Sequence, residues 1–306
     1  MPAPIPLILV LGPTASGKSA LAVAIAAGNN GEVINADAMA VYREMDIGTA
    51  KPSLDERRGV PHHCLDCIPV AEPCHLARWL DMAEAAVADI HARGRVPVVA
   101  GGSPLYTKAL IEGLSAGPPR DDTIRAQLHA RFDAEGGEAL LAELQAVDPE
   151  YAAQRHPNDA KRIVRALEVY QISGRPYSSF HTTDGIRRDD YRTLLLGLRW
   201  DKELLHKRIN ARAKAMFAHG LIDEVRALKD RLSKEARQAV GYKEVIDFLE
   251  GRCDRAKAEE QVRRNTRLLA KHQLTWYRRF RDIVWLPGDA EDLEQQAQHQ
   301  VAAFLA

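Results

Sequence analysis

The hydrophobic pattern opens with an unbroken apolar run at residues 6–11, which predicts a parallel strand buried on both faces. After a glycine-rich stretch, residues 19–27 are rich in Ala, Leu, Ile and Val and predict a helix packed on that strand. A second strand is expected at 32–36. Residues 74–93 read as a long helix, with Ala83, Ala86, Val87 and Ile90 on one face and Gly94 as its stop. A buried strand at 96–100 ends in Gly101-Gly102, and a helix follows from about 105 to 112. This β-α-β, α-β-α order predicts an α/β fold with a doubly wound parallel sheet.

Gly117-Pro118-Pro119 breaks that pattern, and up to residue 191 only helical patterns appear, at 123–135, 137–145 and 159–173. The expected organisation is therefore a core of residues 1–116 and 191–306 with an all-helical insertion at 117–190. A strand at 192–200 resumes the core. Helices at 202–219, 221–232, 242–249 and 256–280 follow, then a short strand at 283–286 and a terminal helix. No extended apolar heptad seam is evident, so a monomer with no obligate protein partner is expected.

Composition narrows the class. The 306 residues are 46% hydrophobic and 27% charged, the balance of a folded globular protein and not of a disordered one. No uncharged apolar run approaches the ~18 residues of a membrane span. Residues 1–11 are apolar but lack a basic flank, and are expected to be core strand rather than a signal peptide. Lys plus Arg and Asp plus Glu both number 42, yet residues 155–281 hold 30 of the basic and 17 of the acidic groups. That stretch carries +13 and the remainder −13, a polarity that points either to a polyanionic partner or simply to Arg-rich solvated helices. Cys64, Cys67, Cys74 and Cys253 offer one C-x-x-C and no second pair, so reduced thiols in a cytoplasmic protein are expected rather than a zinc site.

The strongest chemical signal is Gly12-Pro13-Thr14-Ala15-Ser16-Gly17-Lys18-Ser19, a full G-x-x-x-x-G-K-[ST] loop between a predicted strand and a predicted helix. Such a loop turns backbone N–H groups and a helix N-terminus toward phosphate oxygens. Lys18 adds a point charge, and Ser19 can hold a Mg²⁺ that bridges phosphates. The strand at 96–100 ends in Gly101-Gly102-Ser103 without the acid that P-loop kinases place on a later core strand. An acid stands instead at the end of the second strand, Asp37, as a helix cap, a holder of metal through water, or a proton acceptor. Ends of parallel strands converge on one crevice, so Asp37 and Ser103 are expected to face the phosphates.

These segments resemble the bacterial tRNA dimethylallyltransferases. The resemblance runs from about residue 8 to 285 through G-P-T-A-S-G-K-S at Gly12, D-A-M-A-V-Y-R at Asp37 and D-I-G-T-A-K-P at Asp46. It continues through P-H-H at Pro61, G-G-S-P-L-Y at Gly101, H-P-N-D-A-K-R-I-V-R-A-L-E at His156, V-G-Y-K-E at Val240 and T-R-L-L-A-K-H-Q-L-T-W at Thr266. It implies a P-loop NTPase-like fold whose loop holds dimethylallyl diphosphate, with Mg²⁺, and transfer of the five-carbon group to an adenosine N6 in the anticodon stem-loop of tRNA. It further implies Asp37 as general base, Ser103 as the hydroxyl on the bridging oxygen and Arg212 as a diphosphate ligand. By the same resemblance the tRNA contacts are Asp37, Ala38, Met39, Ala40, Ser103, Arg125, Lys161, Arg162, Ile163, Val164 and Arg165.

Five positions depart from the family pattern, among them Ser103 in place of a Thr and Cys64 in place of a Leu. Ala38 and Ala40 replace a Ser and a Gln near the target base, and Pro104 follows the catalytic hydroxyl. Arg263, Arg267 and Lys271 recur on one face of the 256–280 helix, with Trp276 and Tyr277 close behind, either as a phosphate clamp or as a solvated helix. Alternative functions are prenyl transfer to free adenine nucleotides, a small-molecule P-loop kinase, or an RNA-binding protein with a decayed site.

Overall fold

The computed structural model describes residues 3–113, 117–180 and 188–306, which form two compact units. Unit 1 comprises Met1–Ile111 and Arg188–Ala306; unit 2 is Glu112–Arg187. The helical unit thus starts and ends a few residues before the 117–190 read from the sequence, whose expected junction at 116 lies outside the described residues.

Unit 1 is built on a six-stranded sheet in which every pairing is parallel. The strands are β1 (Ile5–Leu11), β2 (Gly31–Asn35), β3 (His62–His63), β4 (Val96–Gly101), β5 (Tyr191–Arg199) and β6 (Ile283–Pro287), in the order β3-β2-β4-β1-β5-β6. β1 lies centrally, with Leu11 opposite Gly101 on β4 and Gly197 on β5. Its residues alternate between two apolar layers. Leu7, Leu9 and Leu11 join one core with Trp79, Val87 and Ile90 of α2 (Leu76–Ala92) and Tyr106 and Leu110 of α3 (Pro104–Glu112). Ile8 and Val10 join another with Leu21 and Ile25 of α1 (Lys18–Gly28). An apolar strand with both faces covered is what the unbroken run predicts. β3, two residues at the sheet edge, carries no such run and was not expected.

Unit 2 packs α4 (Asp122–Glu135), α5 (Gly137–Val147), α6 (Pro149–Ala152) and α7 (Ala160–Ser173) around Leu128, Leu140, Leu144, Ile163, Val164 and Leu167. Its fully buried carboxylates among the described residues are Asp148 and Glu168. Glu168 accepts from Arg125 Nη2 at 2.6 Å, Arg165 Nη1 at 3.0 Å and the Asp121 N–H at 2.8 Å. Burial would raise its pKa, but these donors outweigh burial and hold it below the ordinary carboxylate value.

Unit 1 continues after β5 with α8 (Lys202–Ala218), α9 (Leu221–Leu228), α10 (Tyr242–Leu249) and α11 (Arg255–Tyr277); α12 (Leu293–Leu305) follows β6. Among the described residues, no helix is long and apolar enough to cross a membrane.

Candidate active site

The loop between β1 and α1 closes as a phosphate cradle because its carbonyls are tied back. Trp200 Nε1 donates to the Ser16 carbonyl at 3.0 Å and Arg208 Nε to that of Ala15 at 2.8 Å. The Arg208 guanidinium lies 4.4 Å from the Trp200 ring, so the two brace each other. Gly17 takes φ +91° and Ala15 φ +64°, the left-handed turns that point successive N–H groups into a concavity. A side chain at Gly17 would be strained whatever room surrounded it.

Lys18 is only 9% exposed, with Nζ 3.4 Å from the Pro13 carbonyl. Burial pulls its pKa from 10.5 down to about 8, against Asp37, which raises it, and with help from Arg212, which lowers it. Arg212 reaches in from α8. Its Nη2 donates to the Thr49 carbonyl at 3.4 Å, while its buried Nε has no partner. An orphaned buried guanidinium N–H near a buried ammonium marks a place prepared for an anion.

Asp37 sits just past β2, where the sheet register brings it to the end of β4. The Ala36 N–H donates to Ala100, and the Ser103 N–H to Ala36. Gly101 makes this approach possible, since a Cβ there would lie 2.1 Å from the Ala36 backbone. Asp37 Oδ1 accepts from the Met39 and Ala40 N–H groups at 2.9 and 3.3 Å, which caps a turn and not the expected helix, since no helix lies between β2 and β3. The other oxygen, Oδ2, is left for chemistry and lies beside Gly102. Ser103 Oγ accepts from the Ala38 N–H at 3.0 Å, which leaves its own proton to donate. Pro104 is the first residue of α3, where a missing N–H costs nothing.

One cleft of about 150 Å³ gathers Lys18, Arg212 and Asp37; Ser103, expected to face the phosphates with Asp37, is not among the residues that line it. Thr14, Lys18, Ser19, Asp37 and Arg212 line its polar end, and Ile209, Ala213, Met216, Val240, Val262 and Leu269 its apolar wall. Gly48, Thr49, Ala50, Lys51 and Pro52 of the 46–52 loop also line the cleft. Glu224 of α9 holds that loop by accepting from the N–H groups of Asp46, Ile47 and Gly48 at 3.0, 2.7 and 2.9 Å.

Among the described residues, no group of three or more His, Cys, Asp or Glu side chains could hold a metal. Asp37 is the one carboxylate lining the cleft among them. A divalent cation fits here only in the Mg²⁺ manner, on the exposed Ser19 hydroxyl, water and oxygens of a phosphorylated ligand. All four cysteines are free, and burial pushes the Cys64 thiol up to about 12, far from a ligating thiolate.

The helical unit corrects part of the expected RNA-contact set. Ile163 and Val164 are 0% and 1% exposed and belong to its core, so their side chains do not face a ligand. Lys161 and Arg162 are exposed, whereas Arg125 and Arg165 are largely committed to Glu168. In unit 1, Tyr277 is likewise fully buried and not part of a basic surface. Sequence reading overlooked Trp200, Arg208, Glu224 and Gln273. Only Gln273 lay in a motif it had singled out.

A strand, a carbonyl-braced nest and a helix N-terminus, set at the carboxyl ends of a parallel sheet, define a P-loop α/β protein built around a phosphorylated ligand. Residues 40–280 match the family model for IPP transferase, and the chain belongs to that family. The tRNA dimethylallyltransferase of Anaeromyxobacter dehalogenans is 46% identical over 296 residues, 95% of this chain and 99% of that protein. The crystal structure of the tRNA isopentenylpyrophosphate transferase of Bacillus halodurans aligns with a TM-score of 0.73 and 37% identity, covering 98% of this chain and 96% of the other. A eukaryotic dimethylallyltransferase acting on tRNA aligns with a TM-score of 0.82 at 28% identity, over 97% of this chain and 77% of its own.

Proposed function

We propose that this protein transfers a dimethylallyl group from dimethylallyl diphosphate to the N6 amine of the adenosine immediately 3′ of the anticodon in tRNA. The observation that carries this reading is the single cleft in which Lys18 and Arg212 face Asp37 beside an apolar wall. The cations suit a diphosphate, the wall suits a five-carbon chain, and the carboxylate suits a proton leaving an amine.

In this reading the loop N–H groups, Lys18 and Arg212 bind the diphosphate and take up the charge that grows on it. Ser103 donates its hydroxyl proton toward the bridging oxygen. The N6–C1 bond forms as the C1–O bond breaks, diphosphate departs with the bonding pair, and the N6 proton passes to Asp37 Oδ2. Mg²⁺ on Ser19 would supply further charge neutralisation to the leaving group. The base must leave its stack to present N6, and a single-stranded anticodon loop makes that cheapest. Lys161 and Arg162, the latter paired with Asp159, are exposed cations of the helical unit that suit RNA phosphates. The work would be cytoplasmic.

The test is transfer of labelled dimethylallyl to an unmodified anticodon stem-loop. Transfer abolished by Asp37→Ala is expected. A rate within a few-fold of wild type in that variant would remove Asp37 from the role of base. Labelling of free adenosine monophosphate in preference to the stem-loop would move the substrate to free nucleotides.

A further inference from the structure

Gln273 is a neutral side chain, 5% exposed, on α11, and its amide spans two segments that are far apart in the chain. Its Oε1 accepts from the Thr14 N–H of the phosphate loop at 2.8 Å. Its Nε2 donates to the Gly102 carbonyl, just past β4, at 2.6 Å. The absence of a side chain at Gly102 is what lets the amide in, since a Cβ there would lie 2.5 Å from Nε2. One helical turn later the Tyr277 hydroxyl donates to the Gly101 carbonyl at 3.1 Å. One face of α11 therefore grips both consecutive carbonyls that precede Ser103, and one of the two grips also reaches the loop that carries Lys18.

We infer that Gln273 is a positioning residue that sets the spacing between the diphosphate cradle and the Ser103–Asp37 side of the cleft. The inference rests on the transfer reaction proposed above. Transfer demands that C1 of the allyl group, bonded to the diphosphate, meet N6 in line, and a misplacement of about 1 Å can cost ~100-fold in rate. Thr14 is the third residue of the loop, and its N–H is withdrawn from phosphate and spent on this link. Without the link the cradle keeps its Trp200 and Arg208 ties and the Gly101–Ser103 turn its Tyr277 and Ala36 hydrogen bonds, but the bridge from one to the other through this amide is lost. Both can still bind their ligands, but not at a fixed separation.

An amide is suited to the task because it both donates and accepts without charge. A protonated carboxyl reproduces that pattern; a carboxylate, which only accepts, places negative charge against the Gly102 carbonyl. The titratable neighbours are Asp37, whose Oδ2 lies beside Gly102, and Tyr277 on the same helix. Both, and Lys18 on the loop, couple to a glutamic acid introduced here; burial and Asp37 favour its neutral form, so it is expected to stay protonated at pH 6 and to ionise as pH rises.

The experiment compares wild type, Gln273→Met and Gln273→Glu in the full-length protein. Single-turnover transfer to a stem-loop is measured from pH 6 to 9, with separate dissociation constants for dimethylallyl diphosphate and tRNA. The Met variant keeps the side-chain volume and is expected to lose at least tenfold in single-turnover rate while both dissociation constants stay within threefold. The Glu variant is expected within threefold of wild type at pH 6 and at least tenfold below it at pH 9. Hydrogen exchange of the residue 12–17 segment should quicken in the Met variant, which removes the acceptor of the Thr14 N–H, whereas the Glu variant keeps that acceptor and loses only the donor to Gly102. A pH-independent deficit in the Glu variant, or weakened binding with an unchanged single-turnover rate, overturns the inference. Failure of the wild type to transfer at all would overturn the proposed function instead. Unchanged exchange at Thr14 would then still overturn the clamp.

Discussion

Binding of dimethylallyl diphosphate should draw a proton from solution at alkaline pH, through Lys18. In the free protein burial lowers this ammonium from 10.5 to about 8. A displacement of that size disfavours the charged form by about 3 kcal/mol at ~1.4 kcal/mol per unit. A bound diphosphate reverses the balance, since an adjacent anion favours the ammonium, and the pKa rises in the complex. The sign follows. Between the free and bound pKa values the complex holds more protons than the free protein, so binding takes protons up and affinity falls as pH rises. Below pH 8 Lys18 is already charged and contributes its full attraction.

With a free pKa of about 8, the uncharged fraction of Lys18 is roughly 0.1 at pH 7, 0.5 at pH 8 and 0.9 at pH 9, and uptake per ligand follows those fractions. Titration calorimetry in two buffers of different ionisation enthalpy reads the number directly. The comparison belongs at pH 8 and 9, because phosphate groups with a second pKa near ~6 lose their own protons at lower pH. Above pH 8 the association constant should fall nearly tenfold per unit. Lys18→Arg, whose guanidinium stays charged, should bind without uptake at any pH in this range. Uptake below roughly 0.2 proton at pH 9, or an affinity flat from pH 7.5 to 9.5, would refute the burial argument.

Two further outcomes follow from backbone geometry. Gly101→Ala would force a methyl to within 2.1 Å of the Ala36 backbone, which no rotamer can relieve. It should cost about 3 kcal/mol or more by urea unfolding and displace Asp37, lowering transfer per folded molecule. Glu224→Ala leaves the N–H groups of Asp46, Ile47 and Gly48 without their carboxylate, and with them the loop whose Thr49 carbonyl meets Arg212. The expected signature is KM for dimethylallyl diphosphate raised at least tenfold with kcat within about threefold, as Ser103 and Asp37 stand elsewhere.

How legible a residue was depended on how local its interactions are. The phosphate loop is contiguous, with its glycines, Lys18 and Ser19 at fixed spacing, so the pattern and the object coincide. Asp37 and Ser103 were legible because a parallel sheet gathers the carboxyl ends of its strands, and the register does bring Ala36 against Ala100 and Ser103. Arg212 was reachable only through family resemblance, because nothing in a helix full of basic residues singles out one. Glu224, Trp200 and Arg208 act on backbone atoms far away in sequence, and such pairings leave no local trace. Residues 161–165 show the opposite failure. A motif read as a line was taken as one contact surface, yet successive helical residues turn by about 100°, so Ile163 and Val164 face inward.

The charge division acquires a structural meaning on α11. Toward its N-terminus the cations are paired, Arg255 and Arg263 with Glu259 and Lys257 with Glu260. Farther along, Arg267 donates to the neutral Asn210, and the exposed Arg264 and Lys271 have no ion pair among the described residues. The uncompensated positive charge of this helix is therefore concentrated in the two turns that precede Gln273 and Tyr277, which grip the cleft from the same rod. An RNA phosphate drawn to Lys271 would be bound less than one and a half turns from the residue that joins the phosphate loop to the Gly101–Ser103 turn. Polyanion recognition and the spacing of the reacting groups then share one rigid element. The basic segment thus includes the helix that grips the cleft, the acidic remainder supplies the loop and Asp37, and the two sum to zero formal charge.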